Sequence, residues 1–240
     1  MYEKKIIKMK TIHGINLNVC VRENTNDKIT TESVFGGEYE FGGVKHDNGD
    51  AFIDIGGHIG TWSMVMASKY PKSKVYCYEG IPENAIMCNQ NAKINHLGNM
   101  HVFNRLVGES NKGLGTIHYT ASTTNFGVQH RFVGNTQGQG MQGNAIEIPN
   151  ISLDAIFEEN DIKHCRVLKI DCEGCEVGAI AGFNQLNMEK IDYIVGEFHP
   201  TRGGVTFPMF LRMLEPTFEN IGNYSEGGLV MMTLRRKGIV

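Results

Sequence analysis

The sequence lacks any run of about eighteen apolar residues, the length a membrane-spanning helix needs. No apolar segment follows its basic start, MYEKKIIKMK, as a signal peptide would require. A cytoplasmic protein without a membrane partner is expected. Positive charge is not in surplus either, since 23 Lys and Arg stand against 26 Asp and Glu, for a net charge of −3. Binders of phosphodiester chains usually carry a basic excess, so no nucleic-acid partner is expected. Trp62 is the only tryptophan, which leaves little for an aromatic stacking platform. A second CxxC or an HxxxH pair that would complete a zinc site with Cys172 and Cys175 is also missing. With no secretory signal, the six cysteines read as reduced, half-buried thiols.

What is present suits a globular enzyme. Hydrophobic residues make up 41% and charged residues 20% of the 240 positions, and glycine is abundant at 29. One domain over 1–240 is expected, with 1–49 as a small N-terminal cap of short strands and a turn or helix. From Ala51 the pattern alternates: strands at 51–54, 74–78 and 100–107, with helices at 61–70 and 83–95. The rhythm resumes with strands at 166–170, 192–198 and 229–235 and helices at 177–183 and 207–214. Such alternation predicts an α/β, Rossmann-like doubly wound sheet. Residues 122–150, rich in Gly, Asn, Gln and Thr, interrupt it as an insert, read equally as a functional loop or an idle hairpin.

Asp54-Ile55-Gly56-Gly57-His58-Ile59-Gly60-Thr61 falls between a strand and a helix, where doubly wound folds bind nucleotides. Glycines permit close backbone approach, and the helix start offers free N–H groups. Glu79 ends the next strand, 19 residues after Gly60, at the interval of an acid that binds ribose hydroxyls. A dinucleotide fingerprint would need glycine at Ile55, so NAD is disfavoured. A pyrophosphate would also meet the negative Asp54. S-adenosylmethionine has no phosphate and carries positive charge, so it suits this turn better. Glu79 could otherwise be a solvated strand-end acid.

Lys169-Ile170-Asp171-Cys172-Glu173-Gly174-Cys175-Glu176 and Glu197-Phe198-His199-Pro200 end two further strands. Residues two apart on a strand share a face, so Glu197 and His199 should converge. Asp171 could instead cap a helix, and Glu173 or Glu176 could be solvated first-turn acids.

Four patterns, DIGGHIG (54–60), YEGIPEN (78–84), ISLDAIF (151–157) and LKIDCEGCE (168–176), together resemble the FkbM family of S-adenosylmethionine-dependent methyltransferases. The resemblance implies a seven-stranded class I methyltransferase sheet with its last strand antiparallel. Gly57 and His58 stand where the family usually has Ala and Asn, Gly80 replaces Pro, and Cys175 replaces a small residue. On this reading the cofactor contacts are Asp54, Gly56, Gly57, His58, Gly60 and Thr61 on the first turn. Glu79, Gly80, Val107 and Asp171 complete them.

The expected reaction is O-methylation of a small-molecule hydroxyl, most readily a sugar or a glycosylated natural product. His199 or Asp171 would be the base, with Glu173 beside them as a third catalytic candidate. No metal is required, although Asp171 and Glu197 would suit Mg²⁺ if one took part. His118, Asn125, His130 and Arg131, in or beside the insert, are candidate acceptor contacts or plain loop residues. A homodimer is admitted. RNA or protein methylation and an inactive donor-binding module are the alternatives.

Overall fold

The computed structural model describes residues 2–40, 49–111, 113–119, 131–132, 144–200, 204–226 and 229–239. The chain opens with the antiparallel hairpin β1 (Lys4–Lys10) and β2 (Asn16–Arg22), then α1 (Asp27–Phe35). The first alternating half is β3 (Ala51–Ile55), α2 (Thr61–Lys69), β4 (Lys74–Tyr78), α3 (Pro82–Ile94) and β5 (Met100–Phe103). A short β6 (Leu106–Val107) leads to β7 (Leu114–Tyr119), β8 (Arg131–Phe132) and β9 (Asn144–Ile151). The second half is α4 (Leu153–Glu159), β10 (Cys165–Ile170), α5 (Glu176–Ile180), α6 (Gln185–Met188) and β11 (Ile191–Phe198). It closes with α7 (Phe207–Leu214), β12 (Phe218–Glu226) and β13 (Leu229–Arg236).

Seven strands form one sheet in the order β12-β13-β11-β10-β3-β4-β5. From β11 to β5 all neighbours are parallel, and β13 runs antiparallel to both β11 and β12. The last strand is therefore the reversed one, as the family resemblance implied. The central strands β3 and β10 are covered on both faces, which explains their near-continuous apolar runs. Phe52, Trp62, Met64 and Val19 belong to one core layer. Ile53, Ile156, Ile180 and Phe210 belong to the other. At the opposite end from the Gly-rich turn, Arg166 bridges Asp50 and Asp192 and ties β10 to its neighbours.

Among the differences from expectation, two concern the main sheet. The strand expected over 100–107 divides: β5 stays in the main sheet, whereas β6 pairs with β9. β12 lacks the alternation of a strand (FENIGNYSE) and carries a register shift at Asn220/Gly222, as its edge position allows. The base of the insert is an antiparallel ladder of β7 with β9, and its Ile117 and Ile148 pack on Ile81 at the start of α3.

The 1–49 segment is stitched to the sheet layer by Asn91 of α3. Its Oδ1 accepts from the Cys20 N–H at 2.7 Å, and its Nδ2 donates to the Ile59 carbonyl at 2.8 Å and the Cys20 carbonyl at 3.3 Å. Asn91 is fully buried, so hairpin, helix and Gly-rich turn meet on one amide. Asn91→Ala leaves these backbone groups buried and unpaired, and should lower unfolding stability by about 2–4 kcal/mol. Urea unfolding checks this; a loss below about 0.5 kcal/mol, the scale of a surface change, contradicts it.

Candidate functional site

The turn after β3 is shaped by close neighbours. Gly56 has φ +79°, and a Cβ there would overlap the Asp171 carbonyl oxygen at the end of β10. A Cβ at Gly57 would overlap the Cys77 sulfur, so the space an alanine methyl would fill is already taken from β4. His58 has φ +51°, a left-handed conformation that Asn, Asp and His tolerate better than other side chains. That property lets histidine occupy a position where the family usually has asparagine.

Glu79 ends β4 and points back at this turn. One carboxylate oxygen accepts from the His58 N–H at 2.7 Å and the other from the Ile81 N–H at 2.8 Å. It is buried rather than a solvated strand-end acid, and burial raises its pKa. Each oxygen retains a lone pair beyond its backbone donor.

Asp54 corrects an expectation. It is wholly buried, and its carboxylate takes the Lys169 ammonium at 3.0 Å and the Ser63 hydroxyl at 2.6 Å. Lys169 also donates to the Gly56 carbonyl at 3.1 Å. Burial works to lower the Lys169 pKa, but the charges of Asp54 and Asp171 overcome it and raise it. Asp54 therefore shapes the turn from behind instead of facing a ligand.

A cavity of about 440 Å³ opens at the carboxyl ends of β3, β4, β10 and β11, within the range of small-molecule sites. The sequence-predicted Gly56, His58, Glu79, Gly80, Val107, Asp171, Glu173 and Glu197 line it together. Asp54, Gly57, Gly60, Thr61 and His199 do not. Thr61 is buried as the first residue of α2, and Gly60 caps that helix. Asn125 and His130 lie outside the described residues, as do the side chains of His118 and Arg131.

The sequence missed Glu38 and Tyr39, which bring the N-terminal segment to the cavity. The Tyr39 hydroxyl donates to Asp171 at 2.8 Å. With Asp171, Glu173 and Glu197, Glu38 makes one wall strongly acidic. Burial, then the negative Asp171, pushes the Glu197 pKa up to about 7.

His199 is also corrected. Its Nδ1 donates to Glu176 at 2.9 Å, and its Nε2 lies 3.4 Å from Glu173. Burial lowers its pKa, but the Glu176 hydrogen bond and the charges of Glu176, Glu173 and Asp171 prevail and lift it to about 9. That shift favours the protonated ring at neutral pH, which suits a general base poorly. Glu176 is no solvated first-turn acid: fully buried, it also accepts the Cys172 and Gly174 N–H groups. The cysteines differ as well: Cys172 and Cys175 form a disulfide, because the turn through Glu173 and Gly174, both at positive φ, brings their Cα atoms to 5.4 Å. The other four are free and buried. Asp171, Glu197 and His199 offer ligand atoms within 4.8 Å of one another. However, one of the three is an imidazole nitrogen, and Asp171 already accepts from the Tyr39 hydroxyl. That set does not match the oxygen donors Mg²⁺ prefers.

The profile described as "Methyltransferase FkbM domain" matches residues 54–226, well over half of the chain. The chain belongs to the FkbM methyltransferase family. It is an S-adenosylmethionine-dependent methyltransferase of FkbM type. A relative, "Methyltransferase 1" of Beauveria bassiana (strain ARSEF 2860), is 24% identical over 166 residues, 64% of this chain and 67% of that protein. Among solved structures, a Methanococcus jannaschii fibrillarin pre-rRNA processing protein aligns at TM-score 0.49 and 14% identity, covering 99% of this chain and 84% of that one. Methyltransferase FkbM from Methylobacillus flagellatus KT aligns at 0.49 and 16%, covering 88% and 52%. No described helix is long and apolar enough to cross a membrane. In this FkbM chain the third motif is structural among the described residues. Ser152 caps α4, and Asp154 accepts from the Asn184 N–H and the Asn187 amide.

The site predicts a pH signature. A histidine raised from 6.5 to about 9 stabilises the fold fully below pH 6.5, and that contribution is lost as pH rises through 9. The raised Glu197 acts in the same direction over a lower window, between about 4.5 and 7. Wild-type stability should fall by up to about 3 kcal/mol between pH 6.5 and 9.5. His199→Gln should flatten that slope whatever its absolute stability. Equal slopes in urea titrations of the two proteins contradict the assignment.

Proposed function

We propose that this FkbM methyltransferase methylates a hydroxyl of a small molecule, most readily a sugar or a glycosylated natural product. The observation that carries the reading is the cavity's division. Glu79 and the Gly-rich turn form one side, and Asp171 and Glu197 form the other. The donor, when bound, supplies an electrophilic methyl group. Glu79 would hold its ribose hydroxyls through the lone pairs left free by the His58 and Ile81 N–H groups. His58, Gly80 and Val107 would line the same half.

An attacking alcohol must lose a proton. Glu197 supports that role better than His199, because its pKa of about 7 suits proton transfer near neutral pH. Asp171, fixed by Tyr39, would orient the acceptor oxygen, and Glu173 would close the rim. Asn26, Thr30 and Ser33 add short polar groups to the lining, suitable partners for a polyol. The acidic wall disfavours a phosphodiester substrate. Moreover, of the consecutive basic residues Arg235, Arg236 and Lys237, Arg235 pairs with Glu219 and Arg236 with Asp192. The proposal runs without Mg²⁺.

Isothermal titration should show S-adenosylmethionine and S-adenosylhomocysteine binding at micromolar Kd, and no heat from NAD. With an acceptor found by screening sugars and glycosides for S-adenosylhomocysteine release, Glu197→Gln should lower kcat by about 10²–10⁴. Its affinity for S-adenosylhomocysteine should stay within about twofold, because Glu197 stands on the acceptor side. Full turnover in that variant would remove Glu197 from the mechanism, and NAD binding would remove the donor assignment.

A further inference from the structure

The disulfide between Cys172 and Cys175 spans a sequence separation of only 3, and both cysteines line the cavity. A bridge over so short a loop removes little freedom from the unfolded chain, so it adds little to the stability of the whole fold. Its effect is local. Glu173 and Gly174, inside the bridge, have φ of +55° and +104°. Glycine takes such a conformation freely, whereas a residue with a side chain seldom does. In it, Glu173 lines the cavity with its carboxylate 3.4 Å from the His199 Nε2. The loop is also held by one oxygen of Glu176, which accepts the Cys172 and Gly174 N–H groups at 3.3 and 3.1 Å. Both are long for bonds to a charged acceptor. The two cysteines differ in exposure: Cys172 is half-buried, and Cys175 is only 5% exposed. Cys172 is therefore the one more open to a thiolate in the cavity. The other four cysteines are buried and free, and burial pushes the thiols of Cys20, Cys88 and Cys165 up, away from the reactive thiolate.

We propose that Cys172–Cys175 is a thiol–disulfide exchange site, opened by dithiol reductants, that holds Glu173 on the acceptor wall. A thiolate of the reductant attacks the Cys172 Sγ, the S–S bond breaks, and Cys175 leaves as a thiolate that takes a proton. The second thiol of the reductant then displaces Cys172 from the mixed disulfide, and the reductant departs as its own disulfide. Two electrons and two protons pass to the protein. With the bridge open, Glu173 is free to return to negative φ, which carries its carboxylate away from His199 and the wall. Glu79 and the Gly-rich turn take no part, so the donor side is insensitive to the change. Only the consequence for the acceptor rests on the function proposed above; the opening of the bridge does not.

The test compares the full chain equilibrated with oxidised glutathione and the same chain treated with dithiothreitol under native conditions. Thiol counting in denaturant should find four thiols in the first and six in the second. Amide hydrogen exchange over 172–175 should quicken about tenfold or more on reduction, while that of β3 and β4 stays unchanged. The double variant Cys172→Ser, Cys175→Ser should exchange like the reduced chain and ignore dithiothreitol. S-adenosylhomocysteine should bind both redox forms with Kd values within about threefold. With an acceptor in hand, reduction should raise its KM about fivefold or more at unchanged donor KM. Equal amide exchange in the two forms would overturn the inference, because Glu176 would then hold the loop alone. Six thiols after oxidation would overturn it as well. Faster exchange with an unchanged acceptor KM would sever the link to the acceptor wall. If neither form binds S-adenosylhomocysteine, the donor assignment fails while the thiol count and amide exchange still decide the switch. Should the double variant fold poorly, the two wild-type forms decide by themselves.

Discussion

A buried ion pair between neighbouring central strands organises the site. Lys169 on β10 and Asp54 on β3 are almost wholly removed from water, with side-chain exposures of 4% and 0%. Taking two charges out of water is expensive, and deleting one partner of such a pair costs about 3–5 kcal/mol. Here the remaining valences are filled. Asp54 also receives Ser63, and Lys169 reaches the Gly56 carbonyl and lies over the Tyr39 ring at 5.2 Å. The pair thereby fixes the first residue of the Gly-rich turn, the start of α2 and the approach of the N-terminal segment. It also stands 3.9 Å from Asp171 and tempers the acidic wall from behind.

From that frame the cavity acquires two unlike sides. The turn and Glu79 are held by backbone N–H groups and glycine geometry, a rigid arrangement with few rotatable parts. The other wall carries Glu38, Glu173 and Glu197, whose proton affinity is raised by burial first and by neighbouring negative charge after it. Glu176 divides that wall. It is buried behind the cavity and gathers two loop N–H groups and the His199 ring. Glu197, two residues earlier on the chain, faces the cavity instead.

Much of this was legible from residue order. The strand–helix alternation implied the parallel half of the sheet, and the spacing from the Gly-rich turn to Glu79 implied one side of the cavity. The polar edge strand β12 was not legible, because a strand at a sheet edge needs no apolar alternation. Asp54 reads in the sequence as a ligand contact, since nothing local in DIGGHIG shows that its carboxylate's partner, Lys169, lies over a hundred residues away. The signal was nevertheless present in VLKI, where a lone lysine inside an apolar strand implies a buried counter-charge. The same limit hid Glu38 and Tyr39, which the N-terminal segment brings to the cavity. His199 shows the same limit: an unperturbed imidazole suits a base, and nothing near it in the sequence shows the buried Glu176 that raises its pKa.

The most direct measurement is a crystal structure of the chain grown with S-adenosylhomocysteine. The ribose hydroxyls should lie on Glu79, with the Asp54 carboxylate still on Lys169 and Ser63 and out of contact with the ligand. A structure in which Asp54 leaves Lys169 to bind the ligand's ammonium would contradict the account, because the pair would then be a ligand contact and not the frame of the site.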